Sequence, residues 1–232
     1  MKVILLVRTR RSEMRILMEK FNRQFDFIQQ AVAENDQIVI TTLGPEGTSS
    51  EQAAKYLIDQ FKQINSDCIF RINLINNFID IFYYLENTKE GYVLIPNAYE
   101  NINDFYWNPN FANVLNFLFA TPKYGLIKKV NNSCLEKRKL KIASCPAVQG
   151  IYKYLMEELL QKKKIEILKT NSTVETIKYI IEEKADIGIT NESAFASHAY
   201  ANEIEFISKK YNATIVWSLF EYNTGRGRNY VH

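Results

Sequence analysis

The sequence predicts an α/β fold of open, mostly parallel sheets arranged in two lobes. Three observations predict it. From residue 37 onward, short apolar runs alternate with amphipathic segments at helical spacing, which is the pattern of βα units. The alternation breaks in a less regular stretch between Pro96 and Pro122 and then restarts. With 47% apolar and 24% charged residues, a chain of 232 residues can bury a sizeable core.

The elements follow in order. Residues 12–35 carry Ile16, Leu17, Phe21, Phe25, Ile28 and Val32 roughly on one stripe and predict a helix. With the apolar run at residues 3–7 it makes an N-terminal extension, residues 1–36, ahead of a main domain at 37–222. The first strand is expected at 38–43, a helix at 49–62, a strand at 69–74, a helix through 79–85 and a strand at 92–95. An irregular region with Phe105, Tyr106, Trp107 and Pro109 follows, then extended runs at 114–120 and 124–130. The alternation resumes with strand 141–144, helix 148–161, strand 165–168, helix 173–183 and strand 186–190. A helix through 194–200 and a strand at 214–222 complete the domain, leaving a polar tail at 223–232. The break places one lobe at about 37–113 plus 209–222 and the other at about 114–208.

The net charge of +3 is too small to argue for nucleic acid or an anionic membrane as partner. The clusters Lys137-Arg138-Lys139 and Lys162-Lys163-Lys164 lie beside element ends without interleaved aromatics and read as solvated faces. No apolar run is long enough to span a bilayer, and residues 3–7 are too few for a signal-peptide core. The expected location is the cytoplasm. Cys68, Cys134 and Cys145 lack metal or redox spacing, and the glycine motifs for nucleotide phosphates are missing. A site without cofactor or metal is the simplest expectation.

The chemistry-bearing stretch is Thr42-Leu43-Gly44-Pro45-Glu46-Gly47-Thr48-Ser49-Ser50-Glu51. Two glycines and a proline turn the backbone, and the hydroxyls cap the helix that follows. A strand, a Gly-rich turn and a helix start together present free N–H groups and partial positive charge, which makes an anion seat. Ser144-Cys145-Pro146 and Asn171-Ser172-Thr173 repeat the strand, polar cap and helix order. Each helix start contributes roughly 0.3–1 kcal/mol toward an anion. Any one of them reads equally as a plain cap; three together point to a cleft for a small polycarboxylate. His198 has no special spacing and His232 is terminal, so neither reads as a general base. Cys145 has no visible partner base and reads as a packing residue.

The run Gly44-Pro45-Glu46-Gly47-Thr48-Ser49-Ser50 resembles the opening motif of prephenate dehydratases. Ser144-Cys145-Pro146 is similar to that family's Ser-His-Pro loop, and Asn171-Ser172-Thr173 to its third helix start. The resemblance covers residues 37–222 and implies a two-lobed, type 2 periplasmic-binding-protein-like fold with the site in the cleft. Two departures matter. The dehydratases carry Thr-Arg-Phe on the last strand, where this chain reads Val216-Trp217-Ser218-Leu219-Phe220, and a C-terminal ACT domain, before which this chain ends. A narrower resemblance is to the prephenate decarboxylases of bacilysin-type and related natural-product pathways. It rests on the opening run plus Ile95-Pro96-Asn97-Ala98-Tyr99, Phe105-Tyr106, Thr121-Pro122-Lys123-Tyr124-Gly125-Leu126, Thr190-Asn191-Glu192 and Trp217-Ser218-Leu219-Phe220.

That resemblance implies a cofactor-independent carbon–carbon lyase acting on prephenate, releasing carbon dioxide while the ring hydroxyl stays. Such a site must grip the pyruvyl carboxylate, leave the ring carboxylate poorly solvated, and deny the hydroxyl an acid. Thr48, Ser49, Ser144, Asn171, Ser172 and Thr173 are the expected anchors, Asn97, Tyr99 and Tyr106 the candidates for ring contacts, and Trp217 a further substrate-binding residue. Tyr99 is the expected proton donor, with Glu100, Glu192 or a bound water as rivals. The family's dimeric habit leaves a homodimer open. Two other readings stand beside it: a prephenate or arogenate dehydratase without its regulatory domain, and a cytosolic keto- or amino-acid-binding protein.

Overall fold

The computed structural model describes residues 24–155, 162–197 and 199–223. Helix α1, residues 24–34, lays Ile28 and Val32 against the first sheet. Strand β1 (Gln37–Leu43) leads to helix α2 (Ser49–Phe61), then β2 (Ile69–Ile75), α3 (Phe78–Thr88) and β3 (Glu90–Pro96). A short helix α4 (Asn103–Tyr106) and strand β4 (Phe111–Ala120) follow. The second lobe holds β5 (Tyr124–Lys129), β6 (Lys139–Ser144), a 3-10 turn (Pro146–Ile151) with α5 (Tyr152–Leu155), and β7 (Lys164–Lys169). It continues through α6 (Thr173–Ile181), β8 (Ile187–Asn191), α7 (Glu192–Ser197) and β9 (Ile204–Phe206), before β10 (Thr214–Asn223) returns to the first lobe.

The two sheets share one plan. Their orders are β2-β1-β3-β10-β4 and β7-β6-β8-β5-β9. In each, two parallel pairings are followed by two antiparallel ones, so the sheets are mixed rather than mostly parallel. Apolar runs announce strands but not their direction, and the direction is set by the crossings between lobes. The chain crosses at residues 121–123 and back at 207–213. Thr121 N donates to Ala213 O at 2.8 Å, and Tyr124 and Tyr211 exchange backbone bonds of 2.6 and 2.9 Å. The first lobe therefore reaches Ala120 rather than about 113, because β4 pairs with β10 along its length. Sequence periodicity also passed over α4 and β9, which are too short to show a period. The expected helix at 148–161 begins as a 3-10 turn. Its last residues, most of the N-terminal extension, the tail beyond residue 223, His198 and His232 lie outside the described residues.

Each sheet is packed on both faces. In the first lobe, α1 and α2 cover Ile40, Leu94, Trp217 and Leu219, while α3 and α4 cover Val93, Ile95 and Phe220. In the second, α6 and α7 cover Ile127 and Ala143, and Leu140, Ile142, Ile187 and Ile189 face Leu155 and Val148. The carboxyl ends of the parallel strands of both sheets meet at the crossing, where ligands sit in open α/β sheets. Among the described residues, no helix is long and apolar enough to cross a membrane.

Candidate active site

Thr48 is the N-cap of α2. Its Oγ1 accepts from Glu51 N at 3.3 Å and donates to Leu43 O at 3.0 Å. The Glu51 carboxylate closes the box by accepting from Gly47 N at 2.7 Å, and Lys55 pairs with its other oxygen at 2.5 Å. Helix α6 repeats the device. Ser172 Oγ accepts from Glu175 N at 3.1 Å, and Asn171 N donates to Glu175 at 2.5 Å. Thr48 and Ser172, expected to bind an anion through their hydroxyls, thus have those hydroxyls engaged within the chain and are 4% and 5% exposed. Ser144, wholly buried, donates to Cys145 O at 3.0 Å. Thr48 and Ser144 donate their O–H within the chain, while Ser172 is engaged as an acceptor. The backbone N–H groups of Ser49 and Ser50, in the first turn of α2, have no intrahelical partner.

Ser49 is brought to the second lobe. Tyr124, at the start of β5, donates its hydroxyl to Ser49 Oγ at 3.0 Å. Burial pushes the Tyr124 hydroxyl up to about 12, the Ser49 bond lowers it in part, and Cys145 and Asn191 also lie beside it. Asn191, which ends β8, donates to Thr173 Oγ1 at 3.1 Å and accepts from Ala194 N at 2.8 Å. Ser49, Tyr124, Asn191 and Thr173 therefore form one polar line across the crossing. Tyr124 and Asn191 fall inside sequence motifs, yet nothing in their spacing marks them as members of a site. Asn171 is exposed at the start of α6. Burial raises the Cys145 thiol to about 11, so it is uncharged at neutral pH.

A second cluster lies in the first lobe. Ser218 Oγ is 2.9 Å from Tyr106 OH and 2.6 Å from both Asn97 Oδ1 and Asn116 Oδ1. Asn116 in turn donates to Asn113 Oδ1 at 2.6 Å. Strand alternation gives this cluster Ser218 and takes Trp217 away. The Trp217 side chain is wholly buried in the core under α1 and α2, with its Nε1 lacking a hydrogen-bond partner among the described residues. The expectation that Trp217 lines the cleft is corrected accordingly.

The candidate acids separate. Tyr99 packs on Phe78 with ring centroids 4.4 Å apart, and burial raises its hydroxyl, so it is protonated at neutral pH. Glu100 is exposed beside it. Glu192 pairs with Lys210 at 2.5 Å, and that bond holds its carboxyl below the usual range. That pairing favours the ionised form of Glu192. Among the described residues, no group of three or more His, Cys or carboxylate side chains is placed to hold a metal ion.

No family model matches the chain. It is 32% identical over 203 residues to the prephenate decarboxylase of Planktothrix agardhii, an alignment spanning 88% of this chain and 96% of that protein. The chain belongs to the prephenate decarboxylase family. The prephenate decarboxylase of Bacillus amyloliquefaciens is 30% identical over 188 residues, spanning 79% of this chain and 86% of that one. Among solved structures, the fold matches an Arthrobacter aurescens prephenate dehydratase in complex with L-Phe at a TM-score of 0.56 and 13% identity. That match covers 82% of this chain and 61% of the dehydratase. It also matches the periplasmic VFT2 domain of Bordetella pertussis BvgS, with TM-score 0.51, 9% identity and 83% of each chain covered. The family fold is thus the two-lobed, type 2 periplasmic-binding-protein-like α/β fold that prephenate dehydratase also adopts.

Proposed function

We propose that this chain is a cofactor-independent prephenate decarboxylase, releasing carbon dioxide and a non-aromatic dihydro-4-hydroxyphenylpyruvate. The observation that carries the proposal is 32% identity sustained over 96% of a prephenate decarboxylase. In this reading Ser49, the first-turn amides of α2, Asn171 and Thr173 hold the pyruvyl carboxylate from both lobes, supported by the caps Thr48, Ser144 and Ser172. Asn97 and Tyr106 receive the ring. As the ring carboxylate leaves, its bonding electrons move through the ring alkene, and a ring carbon takes one proton. Tyr99 is the proposed donor of that proton, with Glu100, Glu192 or a bound water as rivals. The pathway is natural-product biosynthesis in the cytoplasm, and the proposed assembly is a homodimer.

Incubation with prephenate at neutral pH tests the reading. Carbon dioxide with a non-aromatic keto acid supports it. Carbon dioxide with phenylpyruvate makes the chain a dehydratase, and unchanged prephenate makes it a binding protein. Tyr99→Phe abolishes turnover if Tyr99 is the donor; retained turnover with the same product shifts the role to one of these rivals.

A further inference from the structure

Ser218 Oγ is wholly buried and has three oxygen neighbours, Asn97 Oδ1 and Asn116 Oδ1 at 2.6 Å and Tyr106 OH at 2.9 Å. A serine hydroxyl donates one hydrogen bond and accepts two. One neighbour therefore accepts from Ser218, and the other two donate to it. Asn116 is the acceptor: Asn113 Nδ2 donates to Leu219 O at 3.4 Å and to Asn116 Oδ1 at 3.3 Å, so Asn113 Oδ1 accepts from Asn116 Nδ2 at 2.6 Å and Asn116 Oδ1 is left toward Ser218. An asparagine amide places nitrogen and oxygen almost equivalently, so the network decides which one faces a neighbour. Asn97 has no other side-chain partner among the described residues and satisfies Ser218 by turning its Nδ2 inward. Tyr106 is then the second donor, with its proton directed at Ser218.

Two exposed oxygens result. With the Asn97 amide turned so that Nδ2 occupies the position 2.6 Å from Ser218, Asn97 directs Oδ1 outward, and Tyr106, 42% exposed, directs a lone pair outward. Neither Tyr106 nor Asn97 then directs an O–H outward. We propose that Ser218 is a positioning residue that sets product specificity by turning the Tyr106 proton away from the substrate hydroxyl. The proposal rests on the prephenate decarboxylase reading above. Both fates of prephenate consume one proton as the ring carboxylate leaves. A proton placed on the hydroxyl oxygen breaks the C–O bond, releases water and yields aromatic phenylpyruvate. A proton placed on a ring carbon leaves the hydroxyl attached. Facing Tyr106 and Asn97, that hydroxyl donates its own hydrogen instead of receiving one, and its C–O bond persists.

The test is product analysis of Ser218→Ala with prephenate, separating phenylpyruvate from the non-aromatic keto acid. Removing the Ser218 oxygen frees the Tyr106 proton, and phenylpyruvate rises from trace to about a tenth of the product, the scale of one lost hydrogen bond. Adding Tyr106→Phe to that variant removes the phenylpyruvate again. A purely structural Ser218 would change rate without changing the product ratio, so the non-aromatic product alone from folded Ser218→Ala overturns the proposal. Should circular dichroism show that Ser218→Ala does not fold, Tyr106→Phe decides. Losing the acceptor raises KM for prephenate about tenfold, and an unchanged KM overturns the proposal. Parent protein that leaves prephenate intact, or yields phenylpyruvate itself, removes the functional reading and this inference with it.

Discussion

Gly47→Ala is the sharpest single perturbation of the opening loop. Gly47 has φ +86°, and a Cβ there would lie 2.6 Å from Ser197 Oγ and 3.1 Å from Ala194 Cα. Both neighbours belong to α7 of the second lobe, so the opening loop is the surface on which the lobes meet. The left-handed backbone costs an alanine about 1–2 kcal/mol. Ser197 can swing aside, which gives up its 2.9 Å bond to Ser193 O and costs about 0.5–1.5 kcal/mol. Ala194 is backbone and cannot rotate away, so the loop and α7 must separate by a few tenths of an ångström. The smaller conformational freedom of alanine in the unfolded chain offsets about 0.4–1 kcal/mol. The net loss is about 1–3 kcal/mol, read as a urea midpoint lowered by roughly 1 M for a slope of about 1–3 kcal/mol per M. Ser197→Ala placed beside it should recover only the hydroxyl's share. A Gly47→Ala protein within about 0.5 kcal/mol of its parent, or a loss fully recovered by Ser197→Ala, refutes the reasoning.

Thr48→Ala removes an N-cap and the bond to Leu43 O, and should lower stability by about 1–2 kcal/mol in chemical denaturation. A loss under about 0.3 kcal/mol would mean that the loop is held by other contacts. Tyr124 has a hydroxyl raised from 10.0 to about 12, so the folded state favours its protonated form. Its contribution is complete below pH 10 and is lost as the pH rises through about 12, amounting to roughly 2–3 kcal/mol. Tyr124→Phe should flatten that part of the alkaline stability profile, and a variant with the parent's slope would contradict the burial. Glu192→Gln should keep turnover within a few-fold, because pairing with Lys210 favours its ionised form; loss of turnover would point to it as the donor.

Much of the site was legible because its pieces are local. Gly47, Thr48 and Glu51 spell a turn and a capping box within five residues, and Asn171, Ser172 and Glu175 spell another. The functions of individual hydroxyls were less legible. Thr48 and Ser49 are adjacent in sequence, but one bonds the chain's own Leu43 and Glu51 while the other meets Tyr124, 75 residues away. Trp217 and Ser218 differ in the same way, since the period-two alternation of a strand sends neighbours to opposite faces. Which face holds the core and which the cluster depends on helices far along the chain.

The sequence by itself determined the α/β class, the order of most elements and the caps, since periodicity and turn chemistry act between near neighbours, and its resemblance to known sequences pointed to the family. Only the tertiary structure decided the antiparallel halves of both sheets, the crossing at 121–123, the Ser49–Tyr124 contact and the hub at Ser218. The Ser49–Tyr124 contact and the hub at Ser218 join residues 75 to 121 positions apart. Contacts at such separations arise from burial and strand pairing across the whole fold, for which no local pattern in the chain is diagnostic.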